Sequence, residues 1–240
     1  MHPRHLFGVV TPSSNTVLEP LTSAMLADVP GASAHFSRFT VTQIALSSGA
    51  LAQFDTAPMV SAARLLADAK VGVIGWSGTS ASWLGFERDE ALCAEIERAT
   101  GAQACTSVLA INELLGLVSS SRFALVSPYT ADVQRRIAQN YAKHGYEIVA
   151  EAHMGISDNY AFSDITEAQI LAMCRQVATA RPEAIVIMCT NMRGARLAPI
   201  VEAEFGIPLL DSTSAVVWKA LKLLGADGRR VEGWGRLFSL

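Results

Sequence analysis

The feature that most constrains this chain is a pattern that it carries twice. Near the N-terminus a short apolar run ends in Thr11 and Pro12, followed by Ser13, Ser14 and Asn15. Past the middle, a similar run ends in Ser127 and Pro128, followed by Tyr129, Thr130 and Ala131. Each reads as a strand that stops at a hydroxyl residue and a proline, then opens into small residues suited to starting a helix. A second strand with a polar end follows each at nearly the same distance. The first, at 73–76, runs into Ser77, Gly78, Thr79 and Ser80; the second, at 185–188, runs into Cys189, Thr190 and Asn191. The order and spacing repeat even where the residues do not, as two similar lobes in one chain would require.

The intervening sequence fits that reading. Apolar, largely β-branched runs at 6–10, 34–39, 71–75, 123–126, 147–150 and 184–188, and a weaker one at 208–210, suit strands covered on both faces of a parallel sheet. Helical periodicity falls between them, at 57–69, 87–100, 131–144, 167–180 and 214–224. Gly101, Gly145 and Gly225 stand where helices stop. Cys105 opens a further short strand-like stretch. The expected fold is α/β: two similar lobes, pseudo-two-fold related, each a parallel sheet flanked by helices, with the active-site cleft between them. The expected division is 1–111 plus 212–240 for one lobe and 112–211 for the other.

Composition narrows the function classes. Half of the 240 residues are hydrophobic and 17% are charged, against about 25% charged in ordinary domains, so a large core is available and disorder is excluded as the main state. Nineteen basic residues face 22 acidic ones, a net charge of −3, which argues against a nucleic-acid partner. No apolar run approaches the roughly 20 residues of a membrane span, and the first residues lack the apolar stretch of a signal peptide. The four cysteines, at 93, 105, 174 and 189, form no CxxC pair, so neither a zinc ribbon nor a CxxC redox site is expected. The expectation is a cytoplasmic, reduced enzyme or binding domain. A homo-oligomer is compatible with the apolar composition, although no segment marks its surface.

In open parallel sheets, ligands bind beyond the carboxyl ends of the strands. The four corners bring there Thr11, Ser13, Ser14, Asn15, Gly78, Thr79, Ser80, Tyr129, Thr130, Cys189, Thr190 and Asn191. These are hydroxyls, amides and one thiol, with no His, Asp, Glu or Lys. Such a set suits an anion held by hydrogen bonds and does not suit a metal. Cys189 is the one group among them able to move a proton or attack carbon. A helix starting just after it would favour the thiolate; a small buried hydrophobe is the plainer reading of a free cysteine. Asn15 fits a helix cap and a ligand equally, and Asn159 fits a loop turn. Cys93, Cys105 and Cys174 read as core, and Arg229 with Arg230 as a solvated turn. Gly72, Gly75 and Gly78 do not make a phosphate loop, and no Walker lysine follows them.

Together these segments resemble the aspartate/glutamate racemase superfamily, in the branch that contains maleate cis-trans isomerase and arylmalonate decarboxylase. The resemblance covers nearly the whole chain. It rests on the run from Gly8 to Thr16, on Gly78–Ser80, on Val126–Tyr129, on Ser157–Asn159, on the strand ending at Cys189 and on Gly233–Phe238. Racemases and isomerases of this superfamily carry a cysteine on each side of the cleft. The second falls on Cys189, and the first falls on Gly78 and is therefore absent, as in the decarboxylase. The resemblance thus implies a cofactor-independent decarboxylase of a substituted malonate or related acid, with Cys189 protonating one face of an enediolate. Thr79, Ser80, Tyr129 and the Thr190 backbone N–H would hold the retained carboxylate, and Gly78 would leave room for substrate. Ser14, Asn15 and Asn159 match the isomerase more closely. They keep open isomerase or racemase activity on a small dicarboxylate or amino acid; a non-catalytic carboxylate binder is the third reading. Ile44, Leu46 and Met154 are placed on an apolar wall by position.

Overall fold

The computed structural model describes residues 4–240. Its first half contains strands β1 (His5–Pro12), β2 (Ala32–Phe39), β3 (Val73–Trp76) and β4 (Gln103–Thr106). Helices α1 (Leu18–Leu26), α2 (Ser48–Ala52), α3 (Thr56–Asp68), α4 (Ala81–Leu84), α5 (Phe86–Thr100) and α6 (Ser107–Leu117) lie between and after them. Its second half contains β5 (Arg122–Ser127), β6 (Glu147–His153), β7 (Ala184–Ile187) and β8 (Leu209–Asp211), with α7 (Ala131–Lys143), α8 (Glu167–Ala178), α9 (Ala198–Phe205) and α10 (Ser212–Leu223).

The duplication inferred from the corners is a duplication of topology. One sheet has the order β2-β1-β3-β4 and the other β6-β5-β7-β8. Every pairing within both sheets is parallel. Chain reversal therefore needs a crossover each time, and the helices supply it. The central strands carry fully buried runs such as Phe123, Ala124, Leu125 and Val126, as their β-branched sequences predict. Of the edge strands, β2 and β6 are mostly half-buried, whereas β8 is fully buried.

Helices 57–69, 87–100, 131–144, 167–180 and 214–224 all form, within a few residues at each end. Gly101 takes the left-handed φ of +74° that closes α5. Five helices escaped the periodicity. α6 is buried around most of its circumference, so it shows no polar stripe. α1, α2, α4 and α9 are short. The expected lobe boundary at 111/112 falls inside α6, which runs unbroken to Leu117. We propose that the crossing to the second lobe follows α6. The return passes through α10, which packs on α6, α1, β3 and β4, and this supports grouping 212–240 with the first lobe.

Two glycines of β3 and its corner are dictated by close approach. A Cβ on Gly75 would lie 2.7 Å from the ring of Phe7. A Cβ on Gly78 would lie 2.0 Å from Trp76 Cζ2. Gly75→Ala is expected to lower stability by about 1–3 kcal/mol through overpacking. Gly49→Ala, where nothing lies within 4 Å of the new methyl, should be neutral or stabilising by up to about 1 kcal/mol. Urea unfolding of the two variants checks the contrast.

Candidate active site

Four strand ends point their corners at one seam, and the corner side chains close it. The Tyr129 hydroxyl after β5 meets Thr79 Oγ1 after β3 at 2.6 Å. Asn15 Nδ2 donates to Thr190 Oγ1 at 3.2 Å, and that hydroxyl donates on to the Ser77 carbonyl at 3.3 Å. Asn159 Nδ2 donates to Ser14 Oγ at 2.7 Å. Asn191 Oδ1 accepts from the Thr16 backbone N–H, and its Nδ2 donates to the Asn159 carbonyl. Asn140 of α7 donates to the carbonyls of Ala81 and Ser82. All of these residues except Ser14 and Thr16 are buried, so their polar groups need such partners.

Within the seam lies a small cavity of about 20 Å³, little more than one water needs. Gly78, Thr79, Ser80, Tyr129, Cys189 and Thr190 of the corners line it, with Asn159, which the resemblance had added. Ser14 and Asn15 do not. Asn15 caps α1, its Oδ1 accepting the N–H groups of Val17 and Leu18 at 2.9 Å each, and its Nδ2 is bound to Thr190. Both readings of Asn15 thus resolve toward scaffold: it holds Thr190. Ser14 is tied to the Val41 carbonyl and to Asn159. Thr11 bonds the Val9 carbonyl of its own strand and Ser13 the Val41 carbonyl past β2, and Thr130 bonds Asp132.

The apolar wall is only partly as expected. Ile44 lines the cavity, whereas Leu46 and Met154 pack on the core's periphery. The wall is completed by Val41, Phe54, Trp76 and Trp83, none of which the corner argument reached. Trp83 stands edge-on to Tyr129 at 5.3 Å and to Phe54 at 5.8 Å. Trp76 leans on Phe39 at 5.2 Å. The available signal was two indoles bracketing Gly78 in a chain with four tryptophans. The segment 41–54 forms the cover. It is fastened to the loop before Asn159 by Ile44 N–H to the Ser157 carbonyl and by Asn159 N–H to the Thr42 carbonyl.

The room beside Gly78 is not left open. The Trp76 ring fills the place where a side chain at 78 would stand. That is the position on which the resemblance puts the absent first cysteine.

Cys189 also departs from expectation. No helix starts directly after it: a single 3-10 turn begins at Ala195, and α9 begins at Ala198. Burial pushes the thiol up to about 12, outweighing the Asn191 backbone N–H 3.3 Å from Sγ and the Tyr129 hydroxyl, which favour thiolate. The buried Asp211 carboxylate adds to the rise. Asp211 caps α10 through the N–H groups of Thr213 and Ser214, and burial lifts it to about 7. Tyr129 is raised well above its ordinary value, first by burial and then by Cys189. The site thus holds a neutral thiol and a neutral phenol. Among the described residues, no three His, Cys, Asp or Glu come together to hold a metal, and no helix is long and apolar enough to cross a membrane.

Comparison with known proteins places this geometry. The family model described as arylmalonate decarboxylase matches residues 17–238. The chain belongs to the arylmalonate decarboxylase family. It is similar to a maleate isomerase of Nocardia farcinica, 30% identical over 96% of this chain and 94% of that protein. It is also similar to the arylmalonate decarboxylase of Bordetella bronchiseptica, 28% identical over 75% of this chain and 76% of that protein. A solved structure of a cysteine-to-serine variant of the Nocardia farcinica maleate cis-trans isomerase superposes with a TM-score of 0.89. The match is 26% identical, covers 98% of each chain, and that structure carries a covalently bound succinylcysteine intermediate. Family and fold are therefore those of the racemase-like branch, whose members here include both decarboxylases and isomerases.

Buried thiols react slowly because the thiolate is the nucleophile. Cys93, Cys105 and Cys174 are raised by burial as well. Native protein is therefore expected to react with Ellman's reagent at about pH 8 far more slowly than free cysteine, and all four thiols should appear once it is unfolded. A fast single-thiol phase in the native protein would contradict the neutral state of Cys189.

Proposed function

We propose that this protein is a cofactor-independent decarboxylase of a substituted malonate or closely related acid, with Cys189 as the proton donor. The observation that carries this reading is a single buried thiol, neutral at physiological pH, in a cavity whose opposite lobe offers Gly78 and an indole rather than a second thiol. A two-base racemase needs a group on each face of the carbanion. A nucleophilic route to isomerisation needs a thiolate. Protonation of an enediolate needs one acid, and a thiol held protonated is that acid.

The step balances within the site. The bond from the α-carbon to one carboxylate breaks, and its electron pair moves into the remaining carboxylate to give an enediolate and CO2. Thr79, Ser80, Tyr129 and the Thr190 N–H hold the retained carboxylate, each donor to developing charge contributing about 3–4 kcal/mol. Ile44, Val41 and Phe54 give the departing carboxylate apolar surroundings. The Cys189 S–H then delivers its proton to the α-carbon, and the thiolate recovers a proton from solvent. The Tyr129 phenol, itself kept neutral, can donate throughout.

Isomerase-like turnover of a small dicarboxylate is the second reading. It is favoured by Asn159 on the cavity wall, bound to Ser14 as part of the same seam. Product NMR after incubation with 2-methyl-2-phenylmalonate, 2-methyl-2-vinylmalonate and maleate, in separate tubes, decides between them. A monocarboxylic acid from either malonate supports decarboxylation, fumarate from maleate supports isomerisation, and no product with any of them leaves the non-catalytic carboxylate binder.

Cys189→Ser is expected to abolish turnover while leaving the unfolding midpoint nearly unchanged. Tyr129→Phe should lower kcat by about 10²–10³ through loss of one donor. Because the acid form is the active one and persists up to about 12, kcat should show no loss through ionisation of Cys189 between about pH 6 and pH 9. A fall in kcat centred near the ordinary thiol value, removed by substitution at Cys189, would contradict this. Gly78→Cys alone should fail to add racemisation, because the new Cβ meets Trp76. Combined with Trp76→Ala, it should scramble the product stereocentre, as read by chiral chromatography.

A further inference from the structure

The Trp76 indole is the least explained group in the cavity wall. It sits at the end of β3, and its six-membered ring lies against Gly78. A Cβ built there would come within 2.0 Å of Cζ2, 2.4 Å of Cε2 and 2.5 Å of Cη2. The Phe39 ring, 5.2 Å away, backs the indole and restricts its swing. The ring therefore stands on the N-terminal side of a cavity whose other side carries Cys189. Trp76 is 1% exposed, and its Nε1–H has no hydrogen-bond partner among the described residues. Buried indole N–H groups ordinarily have one. Nε1 is bonded to Cε2, so this unpaired donor stands close to the Gly78 side of the cavity.

We propose that Trp76 is the specificity-determining residue of this site: its ring excludes aryl substituents and admits only small ones, and its N–H binds a substrate carboxylate. The proposal rests on the decarboxylase reading and names its substrate class. Two observations support it independently. The volume beside Gly78, opposite the thiol, is filled by the ring. Its N–H, one of two indole donors of the cavity wall without a partner among the described residues, is of the type a carboxylate satisfies. Vinyl serves as the small probe, since it supplies the conjugation from which an enediolate gains.

The test uses the Cys189→Ser protein, in which bound malonates persist, and titration calorimetry with 2-methyl-2-vinylmalonate and 2-methyl-2-phenylmalonate. With Trp76 present, the vinyl compound should bind at least about tenfold more tightly than the phenyl compound. Adding Trp76→Leu should bring the two within about twofold by opening the space. Replacing Trp76 with benzothienylalanine, which keeps the bicyclic ring and puts sulfur in place of the N–H, should preserve the size preference and weaken vinylmalonate binding about tenfold. Equal binding of both compounds with Trp76 present overturns the size limit while leaving the decarboxylase reading intact. An unchanged affinity in the benzothienylalanine variant overturns the carboxylate contact, and does so even if Trp76→Leu fails to fold. If neither compound binds and neither is turned over by the Cys189 protein, the malonate reading fails and this inference falls with it.

Discussion

Everything at this site depends on how the carboxyl ends of two parallel sheets satisfy their polar groups when pressed together. A parallel strand ends with unpaired backbone groups, and a corner buried against another corner cannot leave them to water. In this protein the side chains of one lobe's corners answer the polar groups of the other. Asn15 reaches Thr190, Thr190 reaches the Ser77 carbonyl, Asn191 takes the Thr16 N–H, and Tyr129 meets Thr79. The bonds that fasten the lobes are thus made by the residues that line or adjoin the cavity. Binding geometry and lobe arrangement are one property, and a change in either lobe's corner is felt across the seam.

The state of Cys189 follows from the same burial. Amide and phenol donors around Sγ would stabilise a thiolate, and in a more open site they would win. Inside the seam the cost of desolvating a charge exceeds what they return, and the thiol stays protonated. Asp211 below and Tyr129 beside it are shifted in the same sense. Neutral acids in a dry cleft are poor at starting chemistry by attack and good at ending it by protonation. The proposed decarboxylase reading draws on that asymmetry.

Much of this was legible in the sequence because it was encoded in short range. Strand runs, helix stops such as Gly101 and the repeated proline corners are local signals, and corners at strand ends predict a shared cleft. Six of the cavity-lining residues followed from that rule. The misses were of three physical kinds. α6 lacks a polar face, so periodicity is silent about it. Val41 and Phe54 belong to the 41–54 cover, whose position depends on hydrogen bonds to residues more than a hundred positions away. For Cys189 and Gly78, type and position were readable but surroundings were not: a helix dipole was expected where burial rules, and open room where an indole lies.

The pairing of Trp76 with Gly78 also bears on how such a chain can change over generations. The glycine is compulsory while the indole lies against it, and the indole can lie there only while the glycine lacks a side chain. The two positions are therefore bound in sign: a side chain at 78 is harmful on the present background and admissible only after 76 has shrunk. A lineage moving from one thiol to two must alter the tryptophan first, and one moving the other way must lose its thiol before the ring can enter. A side chain gained at 78 in one step meets the ring where it now lies, so the packing favours a change at 76 first.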